Sequence, residues 1–212
     1  MAKFVNGANG TFSGKVGSVI GSSWRSIHYM RGLSKKRTKP FSEGQIAQQL
    51  RFSLMGRLLL PLRGLMEIGF ANLDTSHATL FNLVMARNLP AVEGEYPDFS
   101  INYSQLQFSN GSLLQPRGVS VALASGILTL SWNPQTTPFN GKADDEVYTL
   151  LYDQEQQLFY TADTVVTRGE GQVEIPLDAE SVGHTGEVWL FAMSRDGKLI
   201  SPTVYAGSHT LE

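Results

Sequence analysis

The chain predicts an α+β fold, with short strands plus two or three helices in its N-terminal half and an antiparallel β-sandwich in its C-terminal half. Three observations carry this. Apolar residues recur at helical spacing between residues 42 and 60, they alternate with period two from residue 99 onward, and glycine is abundant, at 21 of 212 residues. Hydrophobic residues make up 42% and charged residues 17%, which suits a chain that buries a core.

From the N-terminus, Val16, Val19, Ile20, Trp24, Ile27, Tyr29 and Leu33 sit among glycines and serines. Gly14, Gly17 and Gly21 would each weaken a helix by roughly 1 kcal/mol, so residues 15–22 and 24–31 are predicted as a pair of short strands. Read as one continuous strand, 24–31 places Arg25, Tyr29 and Arg31 on one face and Trp24 on the other. A basic linker follows at 34–40. Ser42, with Gln45 three residues on, has capping-box spacing. Behind it, Ile46, Leu50, Leu54 and Leu58 form an amphipathic stripe. Pro61 should kink or end that helix, and a second piece should run over 62–70. Ser76 is expected to cap a helix that ends near Arg87, stopped by Asn88-Leu89-Pro90. The run 91–98 reads as a domain boundary, giving a basic region 1–98 and an acidic β-sandwich domain 99–212. The helical stripe is too small to bury itself, so these halves should pack together.

In the second half, Asn110-Gly111 predicts a hairpin between 103–109 and 112–115. Ser125-Gly126 predicts another, between a strand holding Val119, Val121 and Leu123 and the strand 127–132. Further strands are expected at 147–152, 158–161, 172–175, 187–193 and 203–205, with a turn at Asp196-Gly197. The closing Leu211-Glu212 has the look of a cloning scar and is given no structural weight.

Two resemblances follow from these residues. The run Leu128-Thr129-Leu130-Ser131-Trp132-Asn133-Pro134, with Tyr148, Leu150, Tyr152 and then Val188, Leu190, Ala192, resembles a fibronectin type III domain over about 117–208. It implies a core tryptophan between two sheets and no particular function. The pattern Asn6-Gly7, Gly10, Phe12-Ser13-Gly14-Lys15-Val16-Gly17, Gly21-Ser22 and Trp24, with Gln45, Gln48 and Phe52, is similar to a bacterial family of uncharacterised proteins, a domain of unknown function of about this length. That resemblance implies one whole protein unit and brings no active-site residues with it.

Charge is the most informative functional signal. The net charge is −2, yet residues 1–90 hold twelve Lys and Arg against three acids, a net of +9, and residues 91–212 hold five against sixteen, a net of −11. Such a split fits a basic half that meets a polyanion, halves that attract one another within or between chains, or a charge distribution that serves solubility alone. Aromatics interleave with bases from Trp24 to Lys39, the combination that single-stranded nucleic-acid sites use. The residues expected to bind a polyanion are Lys15, Arg25, Tyr29, Arg31, Lys35, Lys36, Arg37 and Lys39.

Other chemistry fails its residue tests. There is no cysteine, which excludes disulfides, thiolate metal sites and cysteine nucleophiles. A P-loop around Gly14-Lys15 lacks the glycine at Asn9 and the hydroxyl at Val16. No G-x-S-x-G occurs, and His28, His77, His184 and His209 are scattered. Asp144-Asp145-Glu146 lacks calcium-loop spacing and reads as a solvated loop. No signal peptide or membrane-length apolar run is seen, so the cytoplasm is the default compartment. No cofactor or metal is expected. The sequence thus favours a non-enzymatic interaction or structural protein, of the kind found in a cell envelope or phage particle. It binds a protein partner or itself, or alternatively a nucleic acid or other polyanion; a carbohydrate-related enzyme or binding module is the third reading.

Overall fold

The computed structural model describes residues 11–24, 27–36 and 38–212, together with the backbone of residues 2 and 3. The chain divides into two compact units, Met1–Ser42 and Glu43–Glu212.

The first unit is a four-stranded antiparallel sheet of β1 (Ala2–Lys3), β2 (Gly14–Val16), β3 (Val19–Trp24) and β4 (Ile27–Gly32), in the order β1-β4-β3-β2. The expected strand 15–22 is split by a turn at residues 17 and 18, where Val16 pairs with Val19. The expected strand 24–31 is likewise two strands, since Trp24 pairs back onto Ile27.

The second unit opens with α1 (Glu43–Leu59), which starts directly after Ser42 as the capping-box spacing predicts. Pro61 lies in a single 3-10 turn, Leu60–Leu62, and α2 (Arg63–Gly69) resumes beyond it. The next helix, α3 (Leu80–Asn88), begins later than expected. Its N-cap is Thr79, whose hydroxyl accepts the amide of Asn82 at 3.3 Å. Ser76 is held elsewhere, with both its amide and its hydroxyl on the Asp74 carboxylate.

The run 91–98 lies within the second unit. It enters a hairpin of β5 (Val92–Glu95) and β6 (Asp98–Ile101), and the unit continues without a break into the sandwich. One sheet of the sandwich is β7 (Arg117–Ala124), β8 (Ile127–Asn133) and β12 (Gln172–Pro176), in the order β12-β8-β7. The other runs β10-β9-β13-β14, where β9 is Glu146–Asp153, β10 Leu158–Tyr160, β13 Thr185–Met193 and β14 Val204–Thr210. The short strand β11 (Val166–Thr167) also pairs with β9. All pairings are antiparallel.

Two cores explain the layering. Leu128, Leu130, Trp132, Val173 and Ile175 meet Leu151, Val188 and Leu190 between the sheets. Trp132 is buried there as expected, and its indole N–H donates to the Arg168 carbonyl at 3.0 Å. On the opposite side of the β9-β13 sheet, Leu150, Tyr152 and Trp189 pack against Leu58, Met66, Phe70 and Val84 of the helical segment. Both central strands are therefore covered on both faces, and their near-continuous apolar runs follow from that. The fold is α+β with a β-sandwich whose one outer face carries the helices. A fibronectin assignment does not follow from this layering. The expected boundary near residue 98 falls inside the second unit because helices and sandwich share the second of these cores.

The Asn110-Gly111 hairpin is absent, because the backbone donors of that segment are engaged outside it. The amides of Phe108 and Ser109 go to the Thr203 hydroxyl, and those of Asn110 and Leu113 go to the carbonyls of Gly69 and Ile200. Gly111 is needed for space: a Cβ there would lie 2.1 Å from the Ile200 oxygen. Leu211, set aside as part of a scar, is buried in the inter-sheet core.

Candidate functional site

The register of the first sheet places the residues expected to bind a polyanion. Lys15 pairs with Ile20 and Ile20 with Arg31; Ser22 pairs with Tyr29, and Trp24 with Ile27. Directly paired residues in an antiparallel sheet project to the same side, and alternate residues along a strand do too. Lys15, Trp24, Tyr29 and Arg31 therefore share one face. This corrects the expectation that Trp24 opposes Tyr29. A single strand from 24 to 31 would separate them, but the chain reverses between Trp24 and Ile27. Lys15, Trp24 and Arg31 are exposed on that face and Tyr29 is half-buried. On the other side, Phe12 closes over Gly21, where a Cβ would sit 2.4 Å from the Phe12 carbonyl.

Lys35, Lys36 and Lys39 are exposed on the irregular segment after β4, off the sheet. Arg25 and Arg37 lie outside the described residues. The charge split is sharper at the unit boundary than at residue 90. Residues 1–42 contain eight Lys and Arg and no Asp or Glu, the first acid in the chain being Glu43.

A cavity of about 460 Å³ opens in the second unit between α1, β6 and the β9-β10 hairpin. Phe99, Tyr103, Tyr152 and Phe159 form much of its wall, with Arg57 and Gln157 among its polar residues. Tyr152 and Phe159 are register partners, ring centroids 4.6 Å apart, and Tyr103 lies 5.8 Å from Tyr152. Burial first, then the fields of Tyr152, Glu187 and Glu155, push the Tyr103 hydroxyl up to about 12. Its backbone carbonyl accepts the Trp189 indole N–H at 3.1 Å. No sequence pattern pointed to this site, because its residues are spread from 54 to 159 and only the fold assembles them.

Two acidic groupings prove structural. Asp153, Glu155 and His184 bring ligand-type atoms within 4.8 Å of one another. Asp153 Oδ1, however, accepts the amides of Glu155 and Gln156, Oδ2 lies 2.8 Å from His184 Nδ1, and Glu155 Oε2 accepts the Thr185 amide. The cluster ties the β9-β10 turn to the start of β13. Burial alone would raise the Asp153 carboxyl, but hydrogen bonds from the Gln156 amide, His184 and Ser181 outweigh it and hold it below its ordinary value. Asp145, expected in a solvated loop, is 1% exposed and pairs with the equally buried Arg168 at 3.1 Å. Its carboxylate also accepts the Lys142 amide.

Residues 11–207 match the model of a family of unknown function, DUF6266. The chain belongs to that family. No curated protein matches it. The match spans both units of this DUF6266 chain, so the basic sheet and the sandwich belong to one family pattern, as the N-terminal resemblance implied. Among the described residues, no helix of the DUF6266 chain is long and apolar enough to cross a membrane.

Proposed function

We propose that the chain is a non-enzymatic binding protein whose first unit holds an extended polyanion, single-stranded nucleic acid in the first instance, across the exposed face of β2-β4. The observation that carries this is the shared face of Lys15, Trp24, Tyr29 and Arg31. Cations there track phosphates while rings stack on bases. The absence of any acid in residues 1–42 leaves that field uncompensated within the unit. The lysines at 35, 36 and 39 extend it.

Fluorescence anisotropy with a labelled oligothymidylate, from low to high salt, tests the reading. Affinity should fall steeply with salt, and removing two phosphate contacts in Lys15→Glu/Arg31→Glu should lower the log–log slope by about 1.4 for a single strand. Trp24→Ala should cost roughly 1–3 kcal/mol of binding through lost stacking. Binding that ignores salt, or that survives both variants, overturns the proposal.

A second reading rests on the acidic balance of residues 91–212, which complements the basic unit and suits head-to-tail association between copies. Light scattering distinguishes the two: copies that dissociate at high salt while no oligonucleotide binds at low salt favour self-association.

A further inference from the structure

We infer that β7 (Arg117–Ala124) pairs edge to edge with β7 of a second copy of this chain, so that the β12-β8-β7 sheet continues across a two-fold axis. Its basis is an unguarded strand edge. Among the described residues, β7 makes backbone hydrogen bonds to β8 and to no other strand. A row of unpaired amides and carbonyls is a template for another strand, and proteins ordinarily blunt it with charge, proline, a short strand or a cover.

The other edges of the sandwich are blunted in these ways. β12 carries Glu174 and ends on Pro176. β10 and β11 are three and two residues long. On β14, the His209 ring covers its own strand, with Nε2 3.1 Å from the Ala206 carbonyl oxygen. β7 has eight residues and no proline, and its single charge, Arg117, stands at its first position. The core is open on this side too. Leu128, Leu130, Trp132, Val173 and Ile175 of β8 and β12 are buried, but Val119, Val121 and Leu123 pack against the same core and stay half-buried. A strand laid along β7 covers them.

Hairpin geometry decides which backbone groups face outward. Ser125 and Gly126 form a two-residue loop with φ of +53° and +76°, and Ala124 pairs with Ile127 across it. Two left-handed residues make a type I′ turn, whose closing pair exchanges hydrogen bonds, and bonded and non-bonded pairs then alternate. Ala124, Ala122 and Ser120 therefore direct their amides and carbonyls to β8, and Val121 and Leu123 turn theirs outward.

The residues of that edge select the occupant. Beyond the irregularity between Arg117 and Ser120, the stretch Ser120-Val121-Ala122-Leu123-Ala124 reads small, branched, small, branched, small in either direction. An antiparallel partner presents its residues in reverse order. A second copy centred on Ala122 thus sets Val121 against the partner's Leu123, Leu123 against the partner's Val121, and Ala122 against the partner's Ala122 at the axis. The two outward-facing residues then exchange backbone hydrogen bonds in both pairs, and no like charges meet. A foreign strand has less to recognise. Domains that add a peptide strand read it through side-chain pockets, and the exposed Ser120, Ala122 and Ala124 are too small to build one.

Sedimentation equilibrium of the full chain, up to about 1 mM, tests this, since an interface of one strand pair falls at the weak end of the size range. Wild-type dimers should persist at about 1 M salt, where charged attraction beyond about 3 Å is screened; head-to-tail association through opposite charge would not. Ala122→Lys and Ala122→Glu each set like charges face to face at the axis and should weaken the dimer roughly fivefold or more. Ala122 is exposed, so both variants should fold. At about 0.15 M salt, an equimolar mixture of the two should dimerise at least fivefold more tightly than either alone, a rescue that a foreign partner cannot supply. Hydrogen exchange at the Val121 and Leu123 amides should slow as wild-type concentration rises. A wild-type monomer at about 1 mM, variants that dimerise like wild type, a mixture no tighter than its components, or exchange that ignores concentration overturns the inference.

Discussion

The two units of the chain use their apolar residues in opposite ways. Every buried hydrophobic side chain among the described residues lies between Met55 and Leu211, whereas in the described part of 11–42 only Gly21 is buried. Val16, Trp24, Leu33 and Phe41 are exposed in the first unit. A segment of this size rarely encloses a core of its own. Among its described residues the strands are joined by a hydrogen-bond ladder, with Phe12 packed against Gly21. The second unit encloses two cores and several fully satisfied polar networks. Substitutions in the second unit should therefore read out as stability, and substitutions on the first unit's sheet face as binding.

The largest effect is expected at Arg168. Its guanidinium meets Asp145 at 3.1 Å with both side chains about 1% exposed, and it also donates to the Leu114 carbonyl. Arg168→Met leaves Asp145 buried and unpaired, and such losses cost roughly 3–5 kcal/mol. Urea denaturation should show this, and adding Asp145→Asn should recover part of it. A loss below 1 kcal/mol would mean that this corner of the sandwich tolerates an orphaned carboxylate.

Asp153 is next, and it adds a pH signature. Replacing it by asparagine removes hydrogen bonds to a charged acceptor, worth roughly 1.5–3 kcal/mol at neutral pH. Its folded carboxyl sits below the ordinary value of 3.8. The stability it contributes is thus complete above that value and is lost as pH falls through the lower folded one. The gap between wild type and Asp153→Asn should close below about pH 4. A gap constant down to acid pH would remove the charge from the explanation.

Gly111→Ala should cost roughly 1–3 kcal/mol, because overpacking against the Ile200 carbonyl forces the backbone to shift. Gly111→Asn sharpens the point. A hairpin turn would tolerate asparagine, but a glycine required for space tolerates neither. Thr79→Ala should cost about 1 kcal/mol as a lost N-cap. Ser76→Ala, four residues before α3, should cost less. Equal costs would return the cap to Ser76.

These particular residues show what the sequence makes legible. The helix at Glu43–Leu59, the break at Pro61, the Ser125-Gly126 turn and most sandwich strands follow from local chemistry, namely periodicity, proline geometry and glycine pairs. Asn110-Gly111 misleads because the local signal was overridden by partners from Gly69, Ile200 and Thr203, far away in sequence. The Ser76 cap misleads because the helix starts four residues later, capped by Thr79, and the Ser76 hydroxyl that a cap would use donates instead to the Asp74 carboxylate. The basic candidates were legible as composition. The common face of Lys15, Tyr29 and Arg31 with Trp24 was not, because a reversal of the chain changes which residues align. The aromatic cavity left no trace, since its walls come from a helix, two separate hairpins and a 3-10 turn.

The smallest expected stability effect is at the first unit's face, and it tests the contrast most directly. Lys15 and Arg31 are exposed, in a segment that has no Asp or Glu. Charge reversal at both should change the unfolding free energy by no more than about 0.5 kcal/mol, the range of ordinary surface substitutions. The same variant should lose much of its oligonucleotide affinity at low salt. A stability loss as large as that of Gly111→Ala would show that this face packs against something in the folded chain, and the division between a unit that folds and a unit that binds would fail. Unchanged stability with weakened binding would instead assign the exposed rings and cations to a partner outside the chain.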